Sequence, residues 1–375
     1  MTERAMIRRW LNVEQGDGPA ALRGLLRHLL ESGQVDAVLA LCRPAAGEAL
    51  VPALVDDVDA LAGCEPLAPV MPANMAALVS RLSVTDTGRR LAAVLRPCEA
   101  RALIELSKFR QTMLDRVLVI GVDCLGTYEL PDYVQMKRQG QRPERIWERA
   151  GAGEPALVEG YALRAACQMC EHPVAELANL RIGLIGIGYP QRILLEADAS
   201  VRLPAETEPA DEEPAARRQT IEQLTARRLA ARDAAFSAWR ARMSDATALA
   251  EALSACVRCH NCMVACPICY CKECVFRTPT FDHAAEQYFR WAERKGALRL
   301  PADTLLFHLT RLNHMATSCV GCGMCDSACP NGVAVATMFR AVAHSVQALF
   351  DYEAGRSPDE EPPVASFRES ELGEI

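Results

Sequence analysis

The chain has 375 residues, enough at about 150 residues per domain for two or three domains with an ordinary core, so disorder throughout is excluded. Its 41 Lys and Arg against 48 Asp and Glu leave a formal net charge of −7, which argues against the broad cationic surface that nucleic acid demands, and no nucleic-acid partner is expected. Half of the residues are hydrophobic, yet no uninterrupted apolar run approaches the roughly 18 residues of a membrane span, and Met1 to Trp10 lacks a charged-then-apolar leader. The expectation is a cytoplasmic protein without a membrane span. The outlying quantity is the 17 cysteines, a number that in a reducing compartment points to metal rather than to disulfides.

Along the chain, Leu22, Leu25, Leu26, Leu29 and Leu30 recur at helical spacing and predict an amphipathic helix that Gly33 ends. Residues 35–42 and Leu91–Leu95 read as short buried strands, residues 99–109 as a helix, and Val117–Val122 as a third strand running into a polar turn at 123–127. This alternation predicts an α/β sheet with its sites in loops at strand ends. Two apolar runs, 180–187 and 193–195, are split by Gly188, Tyr189 and Pro190 and predict a hairpin closing the same domain, which spans residues 1–204. The acidic, proline-bearing run 205–214 reads as an exposed boundary and opens a linker and connecting helix over 205–245. There Ile221, Leu224, Leu229, Phe236, Trp239 and Met243 are helically spaced among arginines and alanines, as in a solvated helix packing one face on its own protein rather than a basic docking site. Residues 246–350 carry the cysteine-rich domain, and 351–375 an acidic, mobile tail.

Two stretches hold most of the cysteines. Cys256-x-x-Cys259-x-x-Cys262-x-x-x-Cys266-Pro267 and Cys319-x-x-Cys322-x-x-Cys325-x-x-x-Cys329-Pro330 are two complete copies of the bacterial ferredoxin ligand run. Three thiolates spaced by three residues hold three corners of a cubane, and the fourth, carried past by a proline turn, reaches the partner cluster. Cys256, Cys259, Cys262 and Cys329 are therefore assigned to one 4Fe-4S cluster, and Cys319, Cys322, Cys325 and Cys266 to another. Gly321 and Gly323 suit backbone that approaches the sulfurs closely. Tetrahedral zinc requires neither the second copy nor the trailing prolines. Cys256-Val257-Arg258-Cys259-His260 also spells the haem c attachment motif, but no export signal accompanies it and both cysteines are already used. Cys269, Cys271 and Cys274 stay open between a further metal, thiol chemistry and packing, while Cys42 and Cys64 read as buried free thiols.

Between Cys266 and Cys319 lie helical patterns at 281–295 and Thr304–Met315, a longer insert than a compact β-type ferredoxin needs. The stretch 308–330, with Arg311, His314 and Met315 just before Ser318 and Cys319, resembles the helical dicluster ferredoxin domains of heterodisulfide reductase and succinate dehydrogenase iron–sulfur subunits. The resemblance implies a mainly α-helical dicluster ferredoxin domain with clusters between helices; His308 and His314 read as packing or capping residues, because each cluster already has four thiolates.

By spacing alone, Cys98, Cys124 and Cys167-x-x-Cys170 say little. Their surroundings say more: Arg96-Pro97-Cys98-Glu99-Ala100-Arg101-Ala102-Leu103-Ile104-Glu105-Leu106, then Gly121-Val122-Asp123-Cys124-Leu125-Gly126-Thr127, then Cys167-Gln168-Met169-Cys170 followed by Ala175-Glu176-Leu177-Ala178 and Gly183-Leu184-Ile185-Gly186. In that order, over most of residues 12–200, they closely resemble the beta subunits of coenzyme F420-reducing hydrogenases and F420-dependent formate dehydrogenases. The resemblance implies an α/β flavin-binding domain with a non-covalent FAD, F420 bound against its ring, and a nearby 4Fe-4S cluster held by Cys98, Cys124, Cys167 and Cys170. It also implies that Arg96, Glu99, Arg101 and the turn Gly126-Thr127 lie near the flavin, and that Gly16-Asp17-Gly18 is the flavin loop, where a helix N-terminus receives phosphate. The chain departs from the family at Pro19 and Ala20, and carries Glu171-His172 where the family has Asp; His172 reads as a surface or capping residue.

Clusters pass single electrons, hydride carriers deliver pairs, and a flavin accepts both. The resemblance thus implies an electron-transfer subunit that exchanges hydride between FAD and F420 or a similar soluble carrier and connects it through three clusters to a partner. That partner is a molybdenum or tungsten formate dehydrogenase or a hydrogenase catalytic subunit, with heterodisulfide-reductase-like proteins as further candidates. No residue of this chain is assigned to formate or hydrogen chemistry. The alternatives are a stand-alone iron–sulfur flavoprotein reductase of an organic substrate and a flavin-less electron-wiring module.

Overall fold

The computed structural model describes residues 6–85, 87–296 and 303–366. Eight strands, β1 Ile7–Asn12, β2 Ala37–Cys42, β3 Val51–Val55, β4 Leu91–Leu95, β5 Val117–Val122, β6 Leu180–Gly183, β7 Arg192–Ala197 and β8 Glu208–Pro209, form one sheet in the order β3-β2-β4-β5-β6-β7-β1-β8. β2, β4, β5 and β6 run parallel, and the other four join antiparallel. Parallel strands are covered on both faces and so read as unbroken apolar runs. Every residue of β2 and β4 is buried accordingly.

Helices α1 Gly18–Glu31, α2 Ala76–Val84, α3 Pro97–Lys108 and α4 Leu130–Arg138 supply the connections. α1 buries Leu22, Leu25, Leu26 and Leu29, and the chain turns beyond it at Gly33, where φ is +63°. β6 and β7 form the expected antiparallel hairpin. Cys42 and Cys64 face each other across an antiparallel bridge, both buried, as packed thiols should be.

The boundary expected at 205–214 is exposed or half-buried apart from Thr207, and part of it joins the sheet. Glu208–Pro209 pairs with Arg9 and Trp10 of β1, and Thr207 is buried. The acidic composition signals solvent, but Arg9 donates to the Thr207 carbonyl at 3.2 Å and Asn12 donates to Glu208 at 2.7 Å, partners too distant in sequence for local composition to register. α6 Ala215–Arg242 then packs one face on the protein, as expected, with Leu224 and Phe236 buried.

Beyond α6 the described residues contain helices and turns but no strand: α7 Ala246–Ala252, α8 Asn261–Val264, α9 Ala285–Lys295, α10 Thr304–Met315, α11 Met324–Ser327 and α12 Val335–Leu349, with one further short helix, α5 Ala165–Gln168, in the first domain. α12 packs on both α10 and α6 and so ties the helical domain to the sheet domain. The mobile tail expected from residue 351 is anchored at its start. The Tyr352 hydroxyl and the Gly355 N–H both donate at 2.7 Å to Glu105 on α3, and Ala354 accepts from Arg101 at 2.6 Å. Glu105 is fully buried, and a buried carboxylate requires such donors. Residues 367–375 of that expected tail lie outside the described residues. No helix among the described residues is long and apolar enough to cross a membrane.

Candidate iron–sulfur centres

β4 and β5 are parallel neighbours, so the loops leaving their carboxyl ends open side by side. The first enters α3, started by Pro97 at its first position and by the Glu99 carboxylate, which accepts from the Arg96 N–H at 2.8 Å. Cys98 therefore sits on the first turn of α3. Cys124 stands two residues past β5, and its N–H donates to the Pro173 carbonyl at 2.8 Å, drawing in the segment that carries Cys167 and Cys170. All four cysteines line one cavity, together with Arg96, Gly126, Thr127, Arg164 and, from the ferredoxin-like domain, Cys322.

Burial pushes the Cys98 thiol well above its ordinary value and the Cys124 thiol up to about 11, the neighbouring Arg96 cation partly opposing the latter. Such thiols are neutral until a metal displaces their protons and supplies the charge that thiolates need. Arg228 of α6 clamps the two cysteine loops, donating to the carbonyls of Leu125 at 2.7 Å, Cys170 at 3.3 Å and Cys124 at 3.4 Å. One residue before Cys124, Asp123 accepts from the N–H groups of Leu184 and Ile185 at 2.8 and 2.9 Å and from Arg217 at 2.5 Å.

In the helical domain, Cys256, Cys259, Cys262 and, from the second run, Cys329 line another cavity. The Cys262 sulfur accepts from Arg311 at 3.1 Å, the Cys329 sulfur from the Val333 N–H at 3.3 Å, and the Cys256 sulfur from the Arg258 N–H at 3.4 Å. His308 Nε2 stands 3.3 Å from the Cys256 sulfur, a hydrogen-bonding neighbour of the site. Cys266 faces the other run: the Cys325 thiol is pushed up first by burial, then by Asp326 and by the charges of Cys322, Cys266 and Cys319. The fourth cysteine of each run thus faces the other run's three. The donor sets are all sulfur, which suits iron–sulfur clusters, and backbone and arginine donors already point at the sulfurs. Cys269 and Cys274 are half-buried and Cys271 is exposed.

The residues predicted around a flavin divide among several places. Arg96 and Gly126 line both the cysteine cavity and an adjoining cleft at the carboxyl ends of β2, β4 and β5, which Leu41, Leu67 and Trp147 complete. Thr127 is on the cysteine side alone. Glu99 is wholly buried and commits one oxygen to the Met75 N–H at 2.9 Å and the other to Arg96 N–H, a structural use. Arg101 turns away toward the Ala354 and Val320 carbonyls. Gly16 and Gly18 occupy the β1–α1 turn, three strands from β5, or about 14 Å along the sheet. A Cβ on Gly18 would lie 2.4 Å from the Tyr189 hydroxyl, and the Asp17 carboxylate caps Ala20 N–H at 2.9 Å. An aromatic ring and an acid hold the space a phosphate would take, so the loop as seen does not fit a pyrophosphate.

His172, expected at the surface or as a cap, instead lines the cavity of Cys98, Cys124, Cys167 and Cys170; burial, with the Arg101 cation next, holds its pKa down to about 3. Sequence reading also missed the buried arginines Arg164, Arg228 and Arg340. None belongs to a motif, and an isolated arginine in a sequence signals solvent.

Two complete ferredoxin-type cysteine runs in a helical domain, joined to an α/β sheet with four further cysteines gathered at its strand ends, mark the chain as an oxidoreductase subunit with an iron–sulfur domain. A model of the 4Fe-4S dicluster domain matches residues 251–333. The beta subunit of F420-dependent formate dehydrogenase from Methanocaldococcus jannaschii is 25 % identical over 89 % of this chain and 91 % of its own length. The beta subunit of F420-dependent formate dehydrogenase 1 from Methanococcus maripaludis is 24 % identical, covering 94 % of both chains. These relatives bear out the resemblance to F420-linked beta subunits read from the motifs. A chain of the F420-reducing [NiFe] hydrogenase complex from Methanosarcina barkeri aligns at 10 % identity and a TM-score of 0.45, covering 62 % of this chain and 92 % of that one.

Proposed function

We propose that the chain is the beta subunit of an F420-dependent formate dehydrogenase or hydrogenase, exchanging reducing equivalents with F420 or a similar soluble carrier and passing single electrons to or from a molybdenum, tungsten or nickel-bearing catalytic partner. Residues 1–204 serve the carrier and the proximal 4Fe-4S cluster on Cys98, Cys124, Cys167 and Cys170; residues 246–350 hold the other two. The observation that carries this reading is that Cys322 shares the cavity of the four α/β-domain cysteines, so adjacent cysteine sets connect the sheet to the ferredoxin-like domain.

A bound flavin supplies the conversion between hydride pairs and single electrons. The place proposed for one is the strand-end cleft beside Cys124, lined by Arg96, Gly126 and Trp147; its free volume is about 20 Å³, so it must open to admit a flavin ring. The Arg96 guanidinium donates to the Ala68 carbonyl and lies 3.7 Å from the buried Glu99 carboxylate, and the Trp147 indole N–H is held by the Leu67 carbonyl at 3.0 Å, which fixes the ring as a wall of the cleft. The flavin-less wiring module is the second reading, favoured by Tyr189 filling the space beside Gly18.

Anaerobically purified protein mixed with reduced F420 separates the readings. The proposal expects extractable FAD and bleaching of the cluster absorbance as F420 is oxidised. Bleaching only after a catalytic partner is added, with no FAD extracted, supports the wiring module. Steady turnover of an organic acceptor with no partner present supports the stand-alone reductase.

A further inference from the structure

Arg164 lies between the proximal cysteines and the second ferredoxin run, and its side chain is 2 % exposed. Its Nη2 donates to the Cys322 carbonyl at 2.7 Å, its Nη1 to the Thr127 hydroxyl at 3.3 Å, and its Nε to the Ser327 hydroxyl at 3.0 Å. The Thr127 hydroxyl stands in turn 3.3 Å from the Cys167 sulfur. One planar cation thereby links a cysteine of the proximal set to a cysteine of the next. Close packing enforces the junction: a Cβ on Gly323 would fall 2.3 Å from Ala166 Cβ, two residues beyond Arg164.

Three carboxylates feel this cation: Glu129 at 3.8 Å, 37 % exposed and so screened by water, and the half-buried Asp326 and buried Glu99, whose carboxyls Arg164 helps to hold ionised without a direct ion pair. Arg340, on the other side of the junction, differs because it pairs directly with Glu171. A guanidinium does not lose its proton in a protein, so the field of Arg164 is permanent.

We propose that Arg164 is a positioning residue for electron transfer between the proximal and second cluster sites, holding Cys167 and Cys322 in fixed relation and raising the reduction potential of both clusters. Each transfer moves one electron from a reduced to an oxidised cluster; no bond forms or breaks, and the added negative charge is what a fixed cation favours. The inference rests on reading these eight cysteines as two 4Fe-4S sites.

The test is an anaerobic redox titration of the full-length protein by electron paramagnetic resonance, with iron counted on each sample. Arg164→Gln should shift the reduction equilibrium of the proximal and second clusters about tenfold or more toward the oxidised form, where tenfold is about 59 mV for one electron. The cluster on Cys256, Cys259, Cys262 and Cys329 should move less than about twofold, about 18 mV on the same scale. Arg164→Lys, which keeps the charge, should recover most of the shift. Unmoved potentials in a fully loaded glutamine variant, or equal shifts at all three clusters, would overturn the proposal. Should the glutamine variant fail to load, Thr127→Val cuts the bridge and keeps the charge: a lower proximal potential alone is expected, and an unaltered one overturns the bridge. A wild-type iron count of about eight instead of about twelve would remove the underlying two-site reading and is seen before any variant is titrated.

Discussion

Replacing Asp123 with alanine removes the acceptor that ties the end of β5 to α6 directly before Cys124. Two backbone N–H groups, of Leu184 and Ile185, lose their acceptor, and Arg217, 1 % exposed, keeps only the Ile185 carbonyl at 2.9 Å and Glu213 at 3.3 Å. Orphaned buried donors cost about 1–3 kcal/mol each, and a buried ion pair broken on one side costs about 3–5 kcal/mol. The two costs overlap at one site, so Asp123→Ala should destabilise by about 4 kcal/mol. Arg217→Met leaves the buried Asp123 carboxylate with its two N–H donors but no cation, and should cost about 3 kcal/mol. The double variant should then cost well under the sum of the two. Urea titration of the anaerobic protein, followed by far-UV circular dichroism, measures all three. A loss below about 1 kcal/mol for Asp123→Ala, or additive costs in the double variant, would refute this assignment of stability to the buried pair.

The remaining predictions concern the relay and its supports. Cys322→Ser should spare oxidation of reduced F420 and block delivery of electrons to the catalytic partner; undiminished delivery in stopped-flow mixing would remove Cys322 from the path. Gly323→Ala must adopt φ of +71° with a Cβ 2.3 Å from Ala166, and should destabilise by about 2 kcal/mol or more in the same urea assay, whereas a neutral result would mean the two domains do not meet there. Gly18→Ser should lower the melting temperature by displacing Tyr189 while leaving FAD content unchanged; loss of FAD with an unchanged melting temperature would restore the glycine loop as a phosphate site. Tyr352→Phe removes a hydroxyl donor from buried Glu105 and should cost about 1–2 kcal/mol in urea titration. No change would mean that the tail's first residues are not anchored in solution.

The two ferredoxin runs were plain in the sequence because cluster geometry dictates both spacing and the proline turn, and the buried parallel strands were plain because double-sided burial leaves β2 and β4 wholly apolar. β1 was not, since Ile7-Arg8-Arg9-Trp10 alternates poorly and becomes a strand only through β7 and β8, some 190 residues away in sequence. The same blindness to distant partners hid the pairing of Glu208–Pro209 with β1 and the anchoring of Tyr352 and Gly355 on Glu105. Of the site, the cysteines were readable and their supports were not. Arg164 and Arg228 act through carbonyls of loops that only the fold brings near, and Tyr189 covers Gly18 from a hairpin that carried no site signal.

If the α/β domain carries its own cluster beside the ferredoxin-like pair, the iron content of the chain must show it. Iron and acid-labile sulfide per chain, measured on anaerobically purified wild-type protein and on Cys98→Ser, test it most directly. About twelve irons are expected in the wild type and about eight in the variant. About eight in both would contradict it, leaving Cys98, Cys124, Cys167 and Cys170 without a cluster and the sheet domain without an electron path of its own.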